Sequence, residues 1–105
     1  MDYNAIYGIT GFALIKSFRH KGLERFFVKD DARGIPSKSV PRIERVLDRL
    51  DASMRADDMN LPGYRFHSLK GEMKGRFAVS VSGNLRITYE MEGEDAVHVD
   101  LEDYH

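Results

Sequence analysis

Arg76-Phe77-Ala78-Val79-Ser80-Val81-Ser82-Gly83-Asn84-Leu85-Arg86-Ile87-Thr88-Tyr89-Glu90-Met91 is the stretch that decides the fold. Two alternating segments, Arg76 to Ser82 and Leu85 to Met91, meet at Ser82-Gly83-Asn84, a glycine-bearing connection of hairpin length. A period of two puts Leu85, Ile87, Tyr89 and Met91 on one side of the second strand and Arg86 and Thr88 on the other. Arg86 is thus expected on the face away from the core. Tyr64 to Leu69 and Ala96 to Leu101 alternate in the same way, and their connections, Lys70 to Gly75 and Glu92-Gly93-Glu94, are short. The second half of the chain therefore reads as an antiparallel meander. Arg65 and His67 share one face of its first strand; Val97, Val99 and Leu101 point to the core on its last, with His98, Asp100 and Glu102 opposite.

Upstream the period lengthens. Leu23, Phe26 and Phe27 fall at helical spacing after Gly22, and the run Asp30 to Pro36 stops that helix with turn-forming residues. A longer helix is expected from Ser39 to Met54, with Ile43, Val46, Leu47, Leu50 and Met54 on one stripe and Pro41 tolerated in its first turn. Before both, Ile15-Lys16-Ser17-Phe18-Arg19 alternates as a half-buried strand does. The order strand, helix, helix, three or four strands defines a two-layer α+β domain, a helical hairpin packed on a mostly antiparallel sheet of four or five strands.

The 105 residues suffice for one core and not for two. No run approaches the roughly 20 apolar residues of a membrane span, and Met1-Asp2-Tyr3-Asn4 lacks the basic start of a secretory signal, so a cytoplasmic protein is expected. The absence of cysteine excludes disulfides, thiolate nucleophiles and cysteine zinc sites. The net charge of −1 hides an uneven distribution. Lys16 to Arg49 holds 10 basic against 5 acidic residues, Tyr64 to Tyr89 holds 5 against 1, and the last sixteen residues hold 7 acidic and no Lys or Arg. A basic groove beside an acidic edge and an ordinary solvated surface both satisfy that pattern.

The chemistry-bearing set is His67, Lys70, Arg86, Asp103, Tyr104 and His105. RNA carries its own nucleophile, the 2′-hydroxyl. A ribonuclease need only remove that proton, stabilise the phosphorane with cations and protonate the leaving 5′-oxygen, tasks that suit His, Lys and Arg and require no metal or cofactor. The competing reading makes the terminal tripeptide a frayed end and the histidines ordinary surface groups. No GxxxxGK[ST] or GxGxxG loop, HExxH or paired-carboxylate metal motif occurs, which removes the phosphate-loop NTPases and zinc hydrolases. His20 and His98 have no chemical neighbours in the sequence and read as structural or surface residues.

Five blocks, in order, carry a resemblance: Ile15 to Leu23, Met59-Asn60-Leu61-Pro62-Gly63, Phe66-His67-Ser68-Leu69-Lys70-Gly71, Val79 to Tyr89, and Glu102-Asp103-Tyr104-His105. From Ile15 onward the chain resembles the HigB-type ("host inhibition of growth") killer toxins of the RelE/ParE superfamily. The resemblance implies a RelE-like fold and a type II toxin, an endoribonuclease that enters the ribosomal aminoacyl site and cuts the presented codon. It further implies His67, Asp103, Tyr104 and His105 as catalytic groups, and Lys70 and Arg86 as phosphate and transition-state contacts. The implied partners are the ribosome and messenger RNA and a HigA-like helix-turn-helix antitoxin, with operator DNA bound only through the antitoxin complex.

Three departures accompany it. Leu85 stands where the family usually has Trp, and Arg76-Phe77 where it often has an aromatic pair. Residues 1–14 precede the family's usual start and are expected to be an extension arising from an upstream start site, leaving residues 15–105 as the toxin domain. Two other readings go with the resemblance. A gyrase inhibitor like the ParE branch needs no joint His67 and Asp103-Tyr104-His105, so their presence favours the nuclease; a degenerate toxin retained for antitoxin binding is left open by Leu85.

Overall fold

The computed structural model describes residues 14–104, so the expected extension, Leu14 apart, and His105 lie outside the described residues. Helix α1 (Lys21–Lys29) and helix α2 (Val40–Asp51) cover one face of a four-stranded antiparallel sheet whose spatial order follows the chain: β1 (His67–Ser68), β2 (Phe77–Ser80), β3 (Leu85–Glu92) and β4 (Asp95–Asp103). The α+β layering and the meander are as expected.

The His20 ring begins α1, its Nδ1 accepting from the backbone N–H of Leu23 at 3.0 Å, and Asp30 ends it in the left-handed region at φ 58°. Leu23 and Phe26 are buried and Phe27 packs on Phe18 with ring centroids 5.5 Å apart. Gly22 in the first turn has a specific reason to be glycine. A Cβ there would lie 2.4 Å from the carbonyl oxygen of Gly34, backbone that has nowhere to go. Gly22→Ala is therefore expected to destabilise the domain by about 1–3 kcal/mol, as overpacking does, seen as a lower midpoint in urea at unchanged slope.

α2 is shorter than its sequence stripe. Ile43, Val46, Leu47 and Leu50 are buried as expected, but Met54 is 53% exposed. The helix stops at Asp51 because the chain finds competing partners: the Ser53 hydroxyl donates to the Arg49 carbonyl at 2.8 Å, and Asp58 accepts from the backbone N–H groups of Met54 and Arg55. A 3₁₀ turn at Ala56–Met59 then delivers Met59, fully buried, to the core position expected of Met54.

The expected first strand at Ile15 to Arg19 reduces to two isolated parallel bridges on the outer edge of β4, Ile15 with Ala96 and Phe18 with Val99. The interruption has a local cause. At His98 the backbone turns left-handed, φ 52°, and two residues of β4, His98 and Val99, stand against the single Tyr89 of β3. The N–H of His98 is satisfied by the Ser17 hydroxyl at 2.8 Å rather than by a strand carbonyl. The same bulge breaks the expected core series: Ala96 and Val99 join the core cluster, while Val97, buried, does not. The expected strand Tyr64 to Leu69 likewise contracts to His67–Ser68, because Arg65 adopts φ 51° and leaves the extended region.

Candidate functional site

The face of the sheet away from the helices carries His67 and Arg86, and strand register fixes who is near whom. His67 pairs with Ala78, Ala78 with Thr88 and Thr88 with Asp100; one pair further along, Ser80, Arg86 and Glu102 form the next row. Paired residues share a face, so His67 and Arg86 point the same way, two strands and one row apart, roughly 12 Å by strand spacing and rise.

His67 is exposed on the edge strand. Its Nδ1 lies 2.9 Å from the carbonyl oxygen of Arg65. A carbonyl only accepts, so Nδ1 holds the proton and Nε2 is left as the basic nitrogen. The left-handed Arg65 is what brings that carbonyl within reach. Lys70 is exposed at the start of the 3₁₀ turn Gly71–Met73, and that turn ends with the Met73 sulfur 3.8 Å from Nη2 of Arg86. Chain connectivity thus ties the Lys70 loop to the Arg86 strand.

Arg86 is the centre of the terminal cluster. Its Nε donates to Oε1 of Glu102 at 2.9 Å, and Nη2 is ion-paired with the same oxygen, also at 2.9 Å. Its guanidinium carbon lies 4.5 Å from the centroid of the Tyr104 ring, a cation–π contact. Asp103, one residue earlier, pairs with Leu85 and so belongs to the other side of the strand; its Oδ1 accepts from the Asn84 side-chain amide at 2.9 Å, and the N–H of Tyr104 donates to the Asn84 carbonyl at 2.8 Å. Arg86 and Tyr104 are brought into contact, then, while His67 stands apart on the same face and His105 lies outside the described residues.

Behind this cluster runs a polar chain that sequence reasoning missed. Arg76, 4% exposed, donates to Glu90 at 2.7 Å, to the Thr88 hydroxyl at 2.7 Å and to the His98 carbonyl at 2.9 Å. Thr88 in turn donates to Oε2 of Glu102 at 3.3 Å, and Arg19 and His98 also reach Glu90. Burial pushes the Glu90 carboxyl up, but the hydrogen bonds from Arg76 and His98 outweigh it and hold the group below the usual carboxylate range. Glu90 and Glu102 therefore pair with cations of the sheet itself, Arg76 and Arg86. The signal that could have found Glu102 is its parity: it alternates with Leu101 and lies opposite a cation on the neighbouring strand. Among the described residues no three His, Cys, Asp or Glu side chains group as metal ligands, and no helix is long and apolar enough to cross a membrane.

The geometry can be set beside known proteins. The family model described as the RelE-like toxin of type II toxin-antitoxin system HigB matches residues 16–105. The chain is 38% identical over 92 residues to the Endoribonuclease HigB of Proteus vulgaris, covering 88% of this chain and 100% of that protein. It is 36% identical over 76 residues to Toxin HigB-1 of Vibrio cholerae serotype O1, covering 70% of this chain and 79% of that one. Among solved structures, a copper-bound mutant toxin from Helicobacter pylori aligns with TM-score 0.48 and 15% identity over 86% of this chain and 94% of its own. With a family match across nearly the whole length and a relative covered end to end, the chain belongs to the HigB family of RelE-like toxins of type II toxin-antitoxin systems.

Proposed function

We propose that the chain is a ribosome-dependent endoribonuclease that cuts messenger RNA in the aminoacyl site and so halts translation. The observation that carries this is the presence, on the sheet face away from the helices, of a histidine whose Nε2 has no partner among the described residues and an arginine backed by the penultimate tyrosine. In this reading His67 and His105 share the two proton transfers, from the 2′-hydroxyl and to the leaving 5′-oxygen. Lys70 and Arg86 take the charge that builds on the phosphorane oxygens. Asp103 orients its neighbours, and Tyr104, one ring face on Arg86, offers the other to a base. The nucleophile belongs to the substrate, so the residues present suffice without a metal or cofactor.

His67 and Arg86 stand two strands apart on the sheet, and groups so spaced do not by themselves hold a flexible strand in line for attack. The ribosome supplies that alignment in this reading, which is also why the chain acts in the cytoplasm. The toxin unit is residues 15–105, with residues 1–14 an addition to it; the family match from residue 16 supports this division. As a type II toxin it has a protein antitoxin, which we take to be a helix-turn-helix protein of the HigA type, through which alone the complex meets operator DNA.

The test is to induce the chain in a bacterium beside a copy lacking Asp103-Tyr104-His105 and to map messenger 5′ ends. New ends at fixed codon positions within reading frames, missing with the truncated copy, are expected. Growth arrest without such ends would transfer the chain to gyrase inhibition.

A further inference from the structure

We propose that Glu102 is a positioning residue: it sets the plane of the Arg86 guanidinium, and through it the seat of Tyr104, for the phosphate step. The inference rests on the nuclease reading above.

Glu102 and Arg86 are register partners on β4 and β3, and both side chains are largely withdrawn from water, 22% and 16% exposed. The carboxylate is gripped from two sides. Oε1 accepts from Nε of Arg86 and lies against its Nη2, and Oε2 accepts from the Thr88 hydroxyl, itself fixed by the buried Arg76. A guanidinium held along its Nε and Nη2 edge can neither rotate in its plane nor tilt freely. One of its faces lies against the Tyr104 ring. The edge left over is formed by Nη1 and by the side of Nη2 that meets only the Met73 sulfur, a weak acceptor. That edge is the fork that matches two oxygens of a phosphate. Among the described residues no carboxylate is seen to engage it. Glu102 therefore directs the free edge of Arg86 while keeping its charge partly compensated. The compensation weakens ground-state attraction for phosphate, and the orientation serves the transition state.

Those two effects separate in mutants. Glu102→Gln keeps an oxygen that accepts from Arg86 and loses the charge; Glu102→Ala loses both. Turnover and KM are measured on ribosomes programmed with a defined messenger, together with the Arg86 Nε–H signal and the Tyr104 ring signals in nuclear magnetic resonance spectra of the isolated protein. E102A is expected to lower kcat by about tenfold or more, to expose the Arg86 Nε–H to rapid exchange and to shift the Tyr104 ring signals. E102Q is expected to keep both signals and to hold kcat within about threefold, with a lower KM. Where E102A does not fold, E102D, whose carboxylate is withdrawn by one methylene, is expected to lose kcat in its place.

Unchanged kcat with a lower KM in E102A or E102D would make Glu102 a mere competitor for Arg86 and overturn the proposal. A loss in E102Q as large as in E102A would overturn it too, by pointing to proton transfer at Glu102. A wild-type chain that cuts no messenger would overturn the nuclease reading, and this inference with it; a cutting wild type with an equally active E102A overturns only the role of Glu102.

Discussion

His67→Ala is expected to lower messenger cleavage on the ribosome by about two to four orders of magnitude, the usual contribution of a positioned general acid or base. The side chain is exposed and makes one hydrogen bond, to a carbonyl two residues away, so the fold has little stake in it. Stability should change by less than about 0.5 kcal/mol, and thermal unfolding should be nearly superimposable on wild type. His67→Gln separates chemistry from contact. Its amide can donate to the Arg65 carbonyl but cannot exchange a proton near neutral pH, so it should be as inactive as His67→Ala. Cleavage by either variant at the wild-type rate would remove His67 from the reaction.

The largest loss of stability is expected from Arg76→Ala, about 3 kcal/mol or more, because removing this buried side chain leaves a void and unpaired polar groups. The carbonyl of His98 and the Thr88 hydroxyl lose a donor, the buried stem of Arg76 leaves a void, and Glu90 is left with Arg19 and His98. For a domain of this size that corresponds to a fall in Tm of more than about 10 °C. The loss should also depend on pH. The Glu90 carboxyl is held below its ordinary value of 4.5 in the folded protein, so the folded state binds fewer protons than the unfolded chain in that interval. Its contribution is complete above the ordinary value and disappears as pH falls through the lowered one. The gap between wild type and Arg76→Ala should therefore narrow in acid, down to the pH-independent loss of packing and of the Thr88 and His98 hydrogen bonds. Parallel stability curves at all pH values would show that Arg76 acts through packing alone.

Much of this is legible in the sequence for a physical reason: period-two and period-3.6 burial leave a direct trace in residue type. The β2–β3 hairpin, the buried face of α2 and the outward side of Arg86 are all readable in this way. The misses share a cause. Met54 and Met59 have equal claims to the core on hydrophobicity, and what chooses between them is hydrogen bonding by Ser53 and Asp58 to nearby backbone groups. Arg76 looks like a surface cation, and only the three-dimensional convergence of Glu90, Thr88 and the His98 carbonyl shows it to be interior. His67, Lys70, Arg86, Asp103, Tyr104 and His105 are singled out as candidates by chemistry and resemblance. Glu102 shows its outward parity in the sequence, but the cation opposite it depends on a register that the bulge at His98 sets.

The bulge at His98 has a consequence for the end of the chain. Had β4 kept the register of its first half, in which Val97 faces Glu90, Glu102 would lie opposite Leu85 and both it and Tyr104 would emerge on the helix side. The one surplus residue works as a phase shifter. It reverses the parity of the strand after it and delivers Glu102 and Tyr104 to the same surface as His67. A deletion of one residue anywhere between His98 and Glu102 would keep the composition of the tail and turn it to the wrong side of the sheet, so the length of this segment is under as tight a constraint as its chemistry.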